Sequence, residues 1–382
     1  MSEAYRSVMY TADRPDLCFQ KGKGSWLWDE NGKRYLDFVQ GWAVNCLGHC
    51  PDVLNEALLA QANRLWNASP AFYNRAQIQL VDRLSGASGL EKVFLASTGA
   101  EANEGAIKLA RKWGQKHRDG AYRIITMQGS FHGRTLATMS ASGKAAFEPL
   151  FNPKVEGFIK VPLNDFEACA AAIDERVVGI MLEPIQGEAG VLPAEEGYLK
   201  RIAALCQERK LLLILDEIQT GMGRTGLLFA KEHFGITPDI MTLGKGLGGG
   251  APLGALLAKE SVACFEAGDQ GGTFNGNALL AAVGVAVFDT VNQAGFLQNV
   301  RTQGAHLHAT LTSIFGAGSV RGAGLLLAAQ LPHPNAKDIV KRALANGLVI
   351  NAPNADCLRF MPSLAVTREE IDTMADLLRK AL

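Results

Sequence analysis

The chain has 382 residues, 48% of them hydrophobic, and its 38 basic side chains balance 38 acidic ones. That length supports two domains with a substantial core. Zero formal net charge argues against nucleic acid or an anionic membrane as the main partner, because both select a basic face.

The opening stretch MSEAYRSVMYTADRPD lacks the basic-then-apolar layout of a signal peptide. No uninterrupted apolar run reaches the roughly 20 residues of a bilayer span. None of the seven cysteines forms a CxxC pair. Cys46 and Cys50 flank His49, but no second ligand cluster follows at zinc-like spacing. No metal site is therefore expected, and the thiols read as structural groups in a reduced, cytoplasmic setting.

In chain order, GSWLWDENGKRYLDF (24–38) reads as two short strands around Asn31-Gly32, a strong hairpin signal. Seven continuous apolar runs then follow: KVFLAS (92–97), RIITM (123–127), GFIKV (157–161), VVGIMLEP (177–184), LLLILDE (211–217), DIMTLG (239–244) and LGALLA (253–258). Runs that do not alternate are expected where helices cover both faces of a sheet. Helical patterns at 100–117 and 195–210 separate some of them, which predicts an α/β fold with a mostly parallel seven-stranded sheet. After a helical stretch at 277–312, the segments 319–331, 347–352 and 357–362 read as strands, with helices at about 335–346 and 367–382. The two ends, 1–48 and 291–382, are expected to form one smaller α+β domain against a large domain spanning 49–290.

MTLGKGLGGG (241–250) sets Lys245 among glycines at the end of an apolar run. A phosphate loop of the Walker type is excluded, since Asp239 stands where the first glycine belongs and Gly246 where the hydroxyl belongs. GMGRTG (221–226) matches a dinucleotide fingerprint, but the chain runs four residues past Glu217 to reach its first glycine and no clear helix start follows. A dehydrogenase built on it would need a nicotinamide cofactor.

The other reading is a lysine that forms an imine with a carbonyl cofactor. Ligands of open α/β sheets bind beyond the carboxyl ends of the strands. Two such ends carry Asp216 and Lys245, a pair suited to pyridoxal phosphate (PLP): the amine meets the aldehyde, and the carboxylate meets the pyridinium nitrogen. Gln219 is in reach of the ring's phenolic oxygen. In ASTGAEANE (96–104), the amides of Gly99 and Ala100 at a helix start suit the phosphate, with a hydroxyl from Ser97 or Thr98; an ordinary helix cap is the alternative for these two. In GSFHGRT (129–135), Phe131 reads as a ring-stacking or a core residue. Arg134 reads as a carboxylate ligand or as half of a surface ion pair.

STGAEANE, FHGRT, EPIQGEAGV, LDEIQTGMGRTG, TLGKGLGGGAPLGA, GGTFNGN and LRFMPSL occur in one order across essentially the whole chain. Together they resemble the class III (ω-amino-acid) aminotransferases of PLP fold type I, and within them the members acting on N-acetylornithine. The resemblance implies that Lys245 is the Schiff-base lysine and proton shuttle and that Asp216 pairs with the ring nitrogen. It implies Ile218 and Phe131 on the two ring faces, His132 beside the cofactor and Gln219 at the phenolic oxygen. It also implies a homodimer with shared active sites, in which Thr273 of one chain joins Gly99 and Ala100 of the other at the phosphate. Arg134 would hold the far carboxylate of the substrate and Arg359 the α-carboxylate of glutamate. Glu188 would cover Arg359 when ornithine-type donors bind; a permanent Glu188–Arg359 ion pair is the alternative.

The implied activity is ping-pong transfer of an amino group from N-acetylornithine to 2-oxoglutarate, a step of arginine biosynthesis. Succinylornithine, succinyl-diaminopimelate, ornithine and 4-aminobutyrate remain alternative donors, and a catalytically silent PLP-holding protein is the alternative outside enzymes. Three positions depart from the family pattern: Pro51 replaces a histidine, Asn275 a glycine and Ala278 a proline. Relatives acting on free ornithine carry a tyrosine near Trp42, and the absence of a hydroxyl there favours an acylated donor.

Overall fold

A computed structural model describes residues 7–382, so the first six residues of the segment 1–48 lie outside the described residues. Strand β1 (Phe19–Lys23) pairs antiparallel with β2 (Trp26–Asp29), and β2 with β3 (Arg34–Asp37). The turn around Gly32 closes as expected: Gly32 sits at φ 79°, and the Asp29 carboxylate accepts the N–H groups of Asn31 and Lys33 at 2.9 Å each. Sequence patterning gives no sign of β1, because its residues, FQKGK, include a single apolar side chain and are mostly exposed.

All seven apolar runs enter one sheet. It comprises β4 (Lys92–Ala96), β5 (Arg123–Met127), β6 (Phe158–Val161), β7 (Val177–Leu182), β10 (Leu212–Asp216), β11 (Ile240–Leu243) and β12 (Gly254–Ala258), in the order β4-β12-β11-β10-β7-β5-β6. Four of its six pairings are parallel, and β12 runs antiparallel to both neighbours. A short hairpin, β8 (Ile185–Gln186) with β9 (Leu192–Pro193), follows β7.

Helices cover both faces, which explains why the strands do not alternate. Gly99–His117 places Ala106, Ile107, Leu109 and Ala110 on one face, while Glu196–Arg209 places Leu199, Ile202 and Cys206 on the other. Each fully buried Leu or Ile contributes roughly 2 kcal/mol. At Gly114 a side chain would put Cβ 1.9 Å from the Ala121 carbonyl oxygen, so only glycine lets the helix close against its own exit turn.

The run 277–312 divides into Ala278–Val291 and Ala294–Phe315. Two helices absent from the sequence reading, Asp52–Ala62 and Arg75–Ser88, pack on the first of these. No single helix among the described residues is long and apolar enough to cross a membrane. The apolar pair just named is bent by 72° and buries Val287, Phe288 and Leu307 in the core.

Two expected strands resolve differently. The segment 319–331 is a hairpin, β13 (Val320–Ala323) and β14 (Leu326–Gln330), turning at Gly324 with φ 55°. The segment 347–352 changes sheets. β15 (Leu348–Val349) pairs parallel with β3, whereas β16 (Asn351–Asn354) pairs with β17 (Cys357–Phe360) in a sheet ordered β13-β14-β17-β16. Both chain ends therefore share the sheet β1-β2-β3-β15.

Candidate active site

The carboxyl ends of β5, β7, β10 and β11 and the start of helix Gly99–His117 surround a cavity of about 260 Å³. β10 ends in Asp216, 3% exposed and held by three donors. Asn103 Nδ2 donates to Oδ2 at 2.7 Å, His132 Nδ1 lies 2.8 Å from the same oxygen, and the Ile218 N–H reaches Oδ1 at 3.0 Å. Asn103 is fixed in turn, since Thr242 on β11 donates to its Oδ1 at 2.7 Å and the amide also donates to the His132 carbonyl. The carboxylate is thus locked in one orientation.

β11 continues through Gly244 into Lys245, whose φ of 44° is left-handed. A non-glycine residue held there costs of order 1–3 kcal/mol, a strain tolerated where a site over-determines the geometry. Among the described residues the Lys245 side chain makes no hydrogen bond or ion pair, and it lines the cavity. Burial lowers its pKa below the ordinary lysine value; Glu188, Asp216 and Glu183 oppose the shift, and Arg359 reinforces it.

At the helix start, Thr98 caps by accepting the Glu101 N–H at 3.1 Å. The Ser97 N–H donates back to the Glu101 carboxylate at 2.6 Å. These contacts occupy the Thr98 hydroxyl and leave the amides of Gly99 and Ala100 outside the helix ladder at the cavity wall. Neither Ser97 nor Thr98 lines the cavity; the Ser97 hydroxyl faces Asn275 Oδ1 at 3.5 Å. A side chain at Gly99 would bring Cβ within 2.8 Å of Ile218.

At the opposite end Arg359, fully buried on β17, donates through Nη1 to Glu188 Oε1 at 2.7 Å and to the Gly187 carbonyl at 2.8 Å. Its Nε donates to Asn351 Oδ1 at 3.2 Å, but Nη2 has no partner. Burial works against the Glu188 carboxylate; Arg359, then Lys245 and Lys144, outweigh it and hold its pKa below the usual value. Arg134 is exposed, its guanidinium 5.8 Å from the Phe131 ring and 5.6 Å from that of Phe147.

Besides Ser97 and Thr98, three predicted residues do not line this cavity: Arg359, which lies behind the lining residue Glu188, and two at the surface. Thr273 is on the surface of its own chain. Trp42, 51% exposed, projects from a left-handed turn in which Gln40, Gly41, Trp42 and Ala43 all have φ between 49° and 64°. Among the departures, Pro51 stands just before helix Asp52–Ala62, and Ala278 opens helix Ala278–Val291 where proline is equally at home.

Sequence reasoning assigned no role to Asn103, Thr242 or Glu183. Glu183, 6% exposed, lines the cavity and accepts the Phe131 N–H at 3.1 Å. Burial, then the nearby Asp216 charge, raises its pKa well above the usual carboxylate value. Its signal was a carboxylate at the end of the apolar run VVGIMLE.

The class III aminotransferase profile matches residues 9–382. The chain belongs to the class III aminotransferases. It is 55% identical to the acetylornithine aminotransferase of Ralstonia nicotianae, over 99% of this chain and 97% of that one. The fold of the N-acetylornithine aminotransferase from Stenotrophomonas maltophilia superposes with a TM-score of 0.84 at 38% identity, covering 96% of each chain. That of the ornithine aminotransferase from Toxoplasma gondii gives 0.94 at 33%, covering 99% of this chain and 93% of that one.

Class III aminotransferases use pyridoxal phosphate, and it is this chain's cofactor. The cavity suits it. Both side-chain amide atoms of Gln219, a buried residue on the wall, are unpartnered, as is His132 Nε2, and the free helix-start amides suit a phosphate.

Proposed function

We propose that this aminotransferase moves the ω-amino group of N-acetylornithine to 2-oxoglutarate, giving N-acetylglutamate 5-semialdehyde and glutamate in arginine biosynthesis. The relatives named above that act on acetylornithine support this donor. The observation that carries the reading is Arg359: a buried guanidinium with one unpartnered Nη2, covered by a single carboxylate, beside a free lysine.

The bound cofactor supplies an aldehyde that takes up the amino group and a ring that accepts the electrons released from the donor carbon. Asp216 would hold the ring nitrogen, Gln219 the phenolic oxygen, and Phe131 and Ile218 the two faces, with His132 fixing Asp216. The amides of Gly99 and Ala100 would bind the phosphate. Lys245 Nζ would carry the proton to and from the donor's ω-carbon, and its lowered pKa gives a free base at lower pH than an ordinary lysine.

One pocket must accept both a long amine and a dicarboxylate. With N-acetylornithine present, Glu188 stays on Arg359, and Arg134 would take the donor's distant carboxylate. With 2-oxoglutarate present, Glu188 moves aside, Arg359 takes the α-carboxylate and Arg134 the far one. A bidentate guanidinium contact suits both duties. Trp42 brings no hydroxyl for the free α-amino-acid end, which favours an acylated donor.

A cytoplasmic homodimer completes the proposal. Trp66, Phe72, Tyr73 and Phe274 are each more than 60% exposed, an apolar surface suited to a second copy, and Thr273 beside Phe274 would reach the other chain's phosphate amides.

The test is the visible absorption of the purified holoenzyme. N-acetylornithine alone should convert the spectrum to that of the amine-carrying cofactor, and 2-oxoglutarate should restore it. A spectrum that ignores N-acetylornithine but responds to ornithine or 4-aminobutyrate would replace the donor.

A further inference from the structure

The exchange at Arg359 leaves one question open: where does Glu188 go? Its side chain is 16% exposed, and a carboxylate released there without a partner would keep a buried charge uncompensated. The second oxygen already points to an answer, because Glu188 Oε2 lies 4.0 Å from Lys144 Nζ while Oε1 stays on Arg359. Among the described residues no other carboxylate lies within 4.0 Å of that ammonium, and it makes no hydrogen bond.

Lys144 is held in place by its neighbour. The Gly143 N–H donates to the Ser130 carbonyl at 3.1 Å and to the Ser130 hydroxyl at 3.0 Å, and the Gly143 carbonyl accepts the Gly129 N–H at 3.0 Å. A Cβ at Gly143 would fall 2.2 Å from the Met127 carbonyl oxygen, so the backbone lies directly against the end of β5. Lys144 then opens a short helical turn, Ala145–Phe147, with its ammonium 6.0 Å from the ring of Phe147. That ring also stands beside Phe131 and Arg134. The lysine is thus anchored beside the end of β5, with its ammonium 4.0 Å from the Glu188 carboxylate.

Building on the Arg359 exchange set out above, we propose that Lys144 is the receiving partner that holds Glu188 while a dicarboxylate occupies Arg359. It is a positioning residue, acting on the oxo-acid through Glu188. Arg359 binds Glu188 in the donor half-reaction, and Lys144 binds it in the acceptor half-reaction. The gate carboxylate therefore has a cation in both states, and preference between the substrates depends on the balance of the two pairs.

The experiment is single-turnover absorbance of the holoenzyme in each half-reaction, giving apparent Kd values for N-acetylornithine and 2-oxoglutarate. Native enzyme is compared with Lys144→Met, Lys144→Arg, Glu188→Ala and the Lys144→Met/Glu188→Ala double variant. Lys144→Met should raise the 2-oxoglutarate Kd by about 5- to 10-fold, in line with a partly buried ion pair, and move the N-acetylornithine value by less than about 2-fold. Lys144→Arg should restore most of the loss. With Glu188 already Ala, removing Lys144 should add nothing. Equal shifts for both substrates, or an undiminished Lys144 effect in the absence of Glu188, would overturn the proposal. If Glu188→Ala by itself leaves the ratio of the two Kd values unchanged, the Arg359 exchange fails first and the role of Lys144 falls with it.

Discussion

Asp216 on the cavity wall and Arg359, behind the wall residue Glu188, are both buried charges, yet they are held differently. Asp216 receives three donors, and the donor Asn103 is itself fixed by Thr242. Arg359 spends Nη1 and Nε on the protein but leaves Nη2 unpartnered, and its one carboxylate partner reaches it from the loop after β8. A buried charge with a complete set of partners is a fixture, whereas one with a vacant donor is prepared for a ligand. The contrast follows the elements: strand ends and a helix supply the first network, loops most of the second. Chemistry common to many amines is fixed at the first end, and substrate choice is made at the second.

The largest break in this arrangement is Lys245→Ala. No other described residue places an unpartnered amine on the cavity wall. Turnover should fall by at least about 10⁴-fold, because both the amine and the proton carrier are lost. The folded structure and cofactor content should survive, as circular dichroism and phosphate analysis would show. Activity within tenfold of native would remove Lys245 from the chemistry.

A second prediction concerns the residue behind Asp216. Glu217 faces away from substrate, fully buried, and accepts the N–H groups of Ala230 and Lys231 at 2.6 and 2.8 Å. Burial raises its pKa from the ordinary 4.5 to about 7, although those N–H groups and the Lys231 charge pull the other way. The folded protein therefore binds this proton more tightly than the unfolded chain. Its contribution to stability is full below about pH 4.5, falls as pH rises toward 7 and is flat above, a change on the order of 3 kcal/mol. Glu217→Gln should lower stability overall yet flatten that part of the pH profile of the unfolding midpoint. Parallel profiles for the two proteins would contradict the assignment.

The sheet was legible because its strands are covered on both faces and so read as unbroken apolar runs. Asp216 and Lys245 were legible as polar residues where such runs end. Asn103 was not, since a polar residue in ANEGAIK reads as the wet face of a helix, and only the tertiary fold turns it onto Asp216. Arg359 was a charge inside a strand, and its role came from family resemblance rather than pattern. The division of 347–352 between two sheets was invisible for a related reason: periodicity reports which residues are buried, not which strand they join. The left-handed turn at Gln40–Ala43 has only one glycine among its four residues, too little to signal so unusual a backbone.

The smallest effect gives the finest test of the contrast between the two ends. Thr242 touches neither the cavity nor a charge; its hydroxyl donates to Asn103 Oδ1, and it is fully buried. Thr242→Val keeps the shape and removes only that donor, so the Asn103 carbonyl oxygen loses its partner and the amide loses one of the bonds that orient it toward Asp216 and the His132 carbonyl. An unsatisfied buried acceptor costs about 1–3 kcal/mol, part of which relaxation of the amide recovers. Retention of pyridoxal phosphate on dilution should weaken by about 3- to 10-fold. The ratio of kcat/KM for N-acetylornithine to that for 2-oxoglutarate should stay put, because Arg359 and Glu188 are untouched. A changed ratio with unchanged cofactor retention would mean that the two ends are mechanically joined through β11, and the division between a fixed end and an adjustable one would not hold.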